Sequence, residues 1–279
     1  MDELSAARIA AGLPAGALLG CRIHYHAAIG STNDEARRLA AAGAPEGTLV
    51  VADVQTAGRG RLGRRWFAPA GTSLLFSLVF RPPLASAQAL RLTMCAGLAV
   101  AEAVHDRVGL EVGLKWPNDV VWEGRKLGGI LTELETEGER LVYAVVGVGL
   151  NVNLDVAALP PLLTPAASLS SVVGRPVERL GLLLAILARW EAHYRRLRQG
   201  CSPYQAWAAR LVTTGQHVRV HADKEVKEGL AIGVDADGAL LLRRDDGQVE
   251  RIWGGDVTLR ARELGVGGTG IHGDGVSLA

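Results

Sequence analysis

The sequence predicts an α/β or α+β main domain followed by a small all-β domain. Three observations carry that expectation. Up to about residue 212, apolar residues at helical spacing alternate with short runs of strand-forming residues. After Gly215 only short strands remain, parted by Asp/Gly turns. A chain of 279 residues, 48% apolar and 21% charged, also holds material for one large core and one small one.

Each element has a local reason. Residues 1–20 are rich in Ala and Gly and have room for one weak helix, too little for a helix-turn-helix module. Ser31-Thr32-Asn33 ahead of Asp34-Glu35-Ala36 reads as a helix N-cap with acids in the first turn, where the helix dipole favours them. Thr48–Asp53 and Ser73–Phe80 read as strands, the second stopped by Arg81-Pro82-Pro83. From Ser86 to Val108 a helical period runs through Leu90, Met94, Leu98, Ala101 and Val104. Strands are expected at Gly113–Trp116, Val120–Trp122, Gly129–Leu134 and Leu141–Val148, with a hairpin turn at Glu123-Gly124-Arg125. A Pro-rich stretch, Leu159–Pro165, precedes a helix over Val177–Leu197. Gln216–His221, Gly229–Val234, Ala239–Arg243 and Val249–Trp253 then form a small β-barrel.

Composition excludes several classes. Lys+Arg 30 against Asp+Glu 29 gives a formal charge of +1, which speaks against coating nucleic acid or an anionic membrane. Cys21, Cys95 and Cys201 are far apart with no metal-ligand spacing, so reduced cytoplasmic thiols are expected. The start MDELSAARIA lacks the apolar run of a signal peptide, and Leu180–Leu187 is too short for a bilayer span. The seven histidines show no metal spacing, although His24 and His26 alternate on an expected strand.

Four segments carry chemistry. Gly58–Trp66 reads GRGRLGRRW: its glycines permit close backbone approach and motion, and its guanidinium forks match carboxylate and phosphate oxygens. The rival reading is a nucleic-acid patch of the RGG kind, against which stands the run's place between two strands. Lys115-Trp116-Pro117-Asn118-Asp119 leaves polar groups at a strand end, and Lys126 follows eleven residues after Lys115. Two lysines on adjacent hairpin strands can face one anion, or both can be ordinary exposed charges. Gly147–Asn153, GVGLNVN, is a strand end suited to ribose, phosphate or metal-bound water, or an ordinary Gly/Asn turn. No GxxxxGK[ST], GxGxxG or GxSxG string occurs.

Taken in order, STN at 31–33, QTAGRGRLGRRW at 55–66, KWPNDV at 115–120, RKLGGIL at 125–131 and GVGLNVN at 147–153 resemble the motif series of biotin–protein ligases. The resemblance runs from about residue 22 to residue 262. It implies an α+β catalytic domain, a mixed sheet flanked by helices like a class II aminoacyl-tRNA synthetase core, with a C-terminal Src-homology-3-like barrel. The implied organisation is a short extension over 1–20, the catalytic domain over 21–212, the barrel over 213–262 and a disordered tail over 263–279.

The resemblance also implies roles. Ser31, Thr32, Asn33 and Gln55 would bind biotin. Gly58, Arg59 and Arg61 would close over biotinyl-adenylate, with Trp66 on its adenine side. Lys126 would contact the biotin carboxylate and the α-phosphate, and Gly129 would touch biotin through its backbone. Lys115, Asn118, Asn151 and the barrel's Arg260 would line the nucleotide. Asp119 would position metal or the acceptor lysine, and with Lys126, Arg59 and Arg61 it makes up the expected catalytic set. Leu62 departs from the family pattern, in which arginine is common.

ATP with Mg²⁺ and biotin are the implied substrates, with no metal ligand assigned. A biotin carboxyl carrier domain is the implied partner. Neither DNA nor a membrane is expected, in keeping with a monofunctional form, and a homodimer through exposed strand edges is conceivable. Lipoate–protein ligation is the nearest alternative and a nucleic-acid-binding module the farthest.

Overall fold

The structure, a computed structural model, describes residues 4–158, 164–222 and 225–259. The expected tail over 263–279 and residues 159–163 of the Pro-rich stretch lie outside the described residues.

Helix α1 (Ala6–Gly12) starts at Ser5, whose Oγ accepts from the Arg8 amide at 3.3 Å, and buries Ile9. Strand β1 (Arg22–His26) then leads through α2 (Thr32–Ala41) to β2 (Thr48–Ala52). Strands β1 and β2 pair in parallel, so α2 supplies the crossover that parallel pairing requires. Strand β3 (Ser73–Phe80), helix α3 (Leu90–Val108), β4 (Gly113–Lys115), β5 (Asp119–Trp122), β6 (Arg125–Glu137) and β7 (Arg140–Asn151) complete the sheet. Its order is β1-β2-β3-β7-β6-β5-β4, with every pair but the first antiparallel. Helices α4 (Leu169–Val173), α5 (Arg179–Arg198) and α6 (Tyr204–Ala208) follow. The mixed sheet with flanking helices is the α+β architecture expected.

Period-two alternation gives this sheet two different faces. On one, Leu74, Phe76, Leu78 and Phe80 of β3 and Ala144, Val146, Val148 and Leu150 of β7 join α3 and α5 in the main core. By length and apolarity the segment Ser86–Val108 could span a bilayer, but its apolar side chains fill this core. On the other face, Val50, Val79, Tyr143 and Val145 pack against Ala36 and Ala40 of α2. The same face at the α2 N-terminus carries Leu75, Ser77, Gly147 and Gly149, and there the candidate site lies.

Two strands run further than the sequence suggests. The strand expected to start at Gly129 starts at Arg125 as β6, pairing Gly128 with Leu150 and Gly129 with Gly149. Gly147–Asn151 likewise continues β7 and is not a turn. The expected turn is present: Glu123 and Gly124 both have positive φ, 46° and 74°, the geometry of a two-residue hairpin.

Strands β8 (His217–Ala222), β9 (Glu225–Val234), β10 (Leu240–Arg243), β11 (Val249–Ile252) and β12 (Asp256–Leu259) form an all-antiparallel sheet in the order β11-β10-β9-β8-β12, consistent with the Src-homology-3-like unit. It docks through the β9–β10 turn. Buried Trp116 donates Nε1–H to the Gly238 carbonyl at 2.9 Å, and its amide donates to Thr213 Oγ1 at 2.9 Å. Arg91 pairs with Asp237 at 2.9 Å, and Tyr204 donates to the Val234 carbonyl at 3.0 Å. Gly238 has φ +92°, and a Cβ there would lie 2.5 Å from both Leu90 Cδ2 and Met94 Cε. Gly238→Ala therefore combines backbone strain with a clash in the seam. A loss of about 2 kcal/mol is expected, measured as a lower urea midpoint.

Candidate active site

The α2 face of the sheet opens into a cleft whose space, its open mouth included, is about 710 Å³. Its floor is made by what two residues lack. A Cβ on Gly147 would fall 2.1 Å from Asn33 Oδ1, and one on Gly149 would fall 2.6 Å from the Trp66 indole. The glycines thus admit an amide and an aromatic ring to the strand backbone, and the segment itself lines the cleft.

One wall grows from the α2 cap. Ser31 is the N-cap, accepting weakly from the Asp34 amide at 3.5 Å. The Thr32 amide and hydroxyl both donate to Gln55 Oε1, at 2.7 and 3.0 Å, while Ser77 Oγ lies 2.8 Å from Thr32 Oγ1. Gln55 is left with its Nε2 donor for a ligand. Asn33 lines the cleft too, but its amide is committed: Nδ2 donates to Glu133 at 2.8 Å and to the Leu131 carbonyl at 3.3 Å, and Oδ1 accepts from Ser77 at 2.6 Å.

The arginine segment forms a tight hairpin over the cleft. Gly60 donates to the Arg64 carbonyl at 2.7 Å and Trp66 to the Gly58 carbonyl at 2.9 Å, with Leu62 and Gly63 at positive φ in the turn. Trp66 turns inward over Gly149, and Leu62 faces solvent. Gly58 is buried behind this crossing: a Cβ would meet the Trp66 carbonyl at 2.6 Å.

The charges divide into compensated and uncompensated cations. Arg59 grips Asp34 bidentately at 2.6 and 3.1 Å and reaches Glu133 at 3.2 Å. Arg64 pairs with Asp256 of the barrel. Lys126 pairs with Asp119 at 2.9 Å and stands 5.8 Å from the Trp66 ring centroid. Arg61 instead donates to the neutral Asn118 Oδ1 at 3.2 Å. Burial pulls its pKa down, only partly offset by Asp119 and Asp256. It is a desolvated cation suited to an incoming anion.

Eleven of the expected residues line the cleft: Ser31, Thr32, Asn33, Gln55, Arg59, Arg61, Trp66, Asn118, Asp119, Lys126 and Gly129. Three expected ligand contacts, Gly58, Lys115 and Asn151, stand outside this lining. Gly58 shapes the hairpin from behind. Lys115 lies outside the lining, because β5 separates its strand from β6 and the two lysines do not share adjacent strands. Burial lowers the Lys115 pKa, opposed by Asp119 and Asp256. Asn151 is buried one step beyond Gly149 on the same strand face, with Nδ2 donating to the Ala167 carbonyl at 3.1 Å. That segment in turn holds the Lys126 main chain, through Lys126 N to the Pro165 carbonyl at 2.8 Å and Ala167 N to the Lys126 carbonyl at 2.9 Å. Arg260 lies outside the described residues.

Sequence reasoning missed Arg64, Gly255 and Asp256 in the lining and Asp34 and Glu133 behind Arg59. For Arg64 the signal was present in the arginine run. For Asp256 there was none, since nothing local tells which barrel residue will face a cleft in another sheet. Among the described residues no three His, Cys, Asp or Glu side chains form a group able to hold a metal ion. The lining's carboxylates, Asp119 and Asp256, are suited at most to share an ion with phosphate oxygens.

The Biotin/lipoate A/B protein ligase family matches residues 25–151, and the Biotin protein ligase C terminal domain matches residues 213–260. The chain is 36% identical to the bifunctional ligase/repressor BirA of Bacillus subtilis, over 92% of this chain and 79% of that protein. It is also 36% identical to the biotin–[acetyl-CoA-carboxylase] ligase of Paracoccus denitrificans, over 78% of this chain and 92% of that one. The solved biotin protein ligase of Aquifex aeolicus in complex with biotin and ATP superposes with a TM-score of 0.71 at 29% identity, covering 86% of this chain and 99% of that one.

The barrel's carboxylate gives the cleft a pH signature. Partial burial pushes the Asp256 pKa up, but the hydrogen bond and charge of Arg64, with Lys115 and Lys126 nearby, outweigh it and hold the value below the usual range. A carboxylate with a depressed folded pKa stabilises the fold above its unfolded pKa, about 3.9 for aspartate, and that stabilisation fades as pH falls through the folded value. Asp256→Asn should lower the thermal midpoint at pH 7, and the gap from the parent should close as pH drops below about 4. A gap that stays constant down to acid pH would detach the carboxylate's charge from the seam.

Proposed function

The chain belongs to the biotin protein ligase family, and we infer that its cleft activates biotin with ATP and passes it through biotinyl-5′-AMP to a lysine of a carrier domain. The observation that carries this reading is the meeting of two unlike surfaces in one cleft. Uncharged donors and acceptors at Ser31, Thr32 and Gln55 stand beside the converging cations Arg59, Arg61, Arg64 and Lys126.

Biotin needs both. Its ureido ring offers N–H donors and a carbonyl acceptor, which the α2 cap and the Gln55 amide can satisfy. Its carboxylate must approach the α-phosphate of ATP, and two anions repel. Arg61 and Lys126 lower that barrier by placing positive charge where negative charge gathers. ATP arrives as its Mg²⁺ complex, with the ion riding on the phosphates. One carboxylate oxygen attacks the α-phosphorus, the bond to the β-phosphate bridge breaks, and pyrophosphate leaves. The mixed anhydride stays under the Trp66 hairpin, sheltered from water.

In the second step the carrier lysine, as the free amine, attacks the biotinyl carbonyl carbon. The C–O bond to AMP breaks, AMP departs as the phosphate anion, and an amide remains. Asp119 is placed to accept the amine's proton once Lys126 has turned to the phosphate. Lipoate would present an apolar dithiolane to the same wall and leave the Thr32–Gln55 pair without a polar partner, so biotin is the better fit.

Incubating the protein with biotin, Mg·ATP and a biotin carboxyl carrier domain should add one biotinyl mass to the carrier. Lys126→Ala should slow adenylate formation by about 10²–10³-fold, as loss of a charge-stabilising donor does, with weaker effect on binding of preformed adenylate. Transfer of lipoate but not biotin would move the reading to the sister activity.

A further inference from the structure

Arg59 is held in a way the chemistry above does not require. Its partners, Asp34 and Glu133, stand outside the cleft lining, so they take the guanidinium from behind. Asp34 sits in the first turn of α2, while Glu133 lies on β6, two residues beyond Leu131 on the same strand face. Glu133 is itself anchored: its Oε2 accepts the Asn33 amide at 2.8 Å, and Asn33 is fixed in turn by Ser77 at 2.6 Å. That amide occupies the space left by Gly147. One line of contacts thus runs from the sheet floor through Asn33 and Glu133 to Arg59.

We propose that Glu133 is a positioning residue that clamps Arg59 and, with it, the near arm of the hairpin over the cleft, retaining the activated intermediate until transfer. The proposal rests on the ligase reading for its chemistry, but the clamp is a property of the ligand-free protein. Arg59 bridges antiparallel to Arg65, so fixing Arg59 fixes both arms of the hairpin. With the clamp released, the hairpin lifts, the mixed anhydride escapes or meets water, and pyrophosphate is made without biotin being transferred. The carboxylates also saturate most of the Arg59 donors, which leaves Arg61 as the cation free for the incoming anion. An ordinary surface ion pair contributes little because its side chains are free to wander. Here one partner is immobilised by a buried amide, and that distinguishes the two cases.

The test uses the full chain and two readouts. The first is pyrophosphate formed per biotin transferred to the carrier domain. Glu133→Gln, which keeps the shape and removes the charge, should raise that ratio on the order of tenfold, as expected for losing a hydrogen bond to a charged group. The second is tryptic cleavage after Arg59, Arg61, Arg64 and Arg65 without any ligand, which should accelerate by a similar factor while cuts elsewhere do not. Asp34→Asn, at a half-exposed carboxylate, repeats both readouts in case Glu133→Gln unfolds. Parental ratios and parental cleavage rates in the two variants overturn the clamp. The cleavage arm judges it even where the parent transfers no biotin, a result that would remove the ligase reading instead.

Discussion

The cleft depends on the absence of two side chains. In β7 every second residue faces α2, and at Gly147 and Gly149 that face is bare. The neighbouring odd positions Tyr143 and Val145 on the same face pack under α2 in the ordinary way. Where the side chains stop, Asn33 and Trp66 descend to the backbone, and everything else is hung from them. Asn33 fixes Glu133, Trp66 fixes the crossing of the hairpin, and the hairpin carries the arginines. A single methyl at either glycine would lift one of these supports by more than the looseness that a catalytic geometry tolerates.

Electrostatically the cleft holds its charges in check. A cluster of unpaired guanidinium and ammonium groups in a partly desolvated space would be costly, and three of the four cations carry a carboxylate partner. Those partners come from α2, β5, β6 and the barrel, so the cluster is also a point where four elements are tied together. The exception, Arg61, rests against a neutral amide oxygen. Leaving one cation short of a partner is a cost to the empty protein that a phosphate or carboxylate would relieve.

Much of this was legible in the sequence, and the boundary of legibility has a physical cause. The Ser31 cap, the fully buried β3 and the Glu123-Gly124 turn follow from local rules, and all three are present. The arginine segment and Lys126 could be singled out because unusual residue density marks unusual chemistry. Glycine misled: Gly147 and Gly149 read as a strand end or turn, yet they allow close approach within a continuous strand. Asn151 misled in the opposite sense, a polar residue beside a site whose amide serves the backbone of its neighbour. Asp256 was invisible, because its role is created by docking between sheets, which no local pattern encodes.

The seam between the two sheets has a consequence in time. Arg64 and Asp256 are 192 residues apart in the chain and complete one wall between them. During synthesis the main sheet, the hairpin and most of the cations emerge long before the barrel's last strand. Throughout that interval the nascent chain displays an arginine-rich, half-built cleft with one wall missing, and Arg64 has no barrel carboxylate to meet. The finished geometry arrives only with β12, so the order of translation itself keeps the centre incomplete until nearly the whole fold is in place.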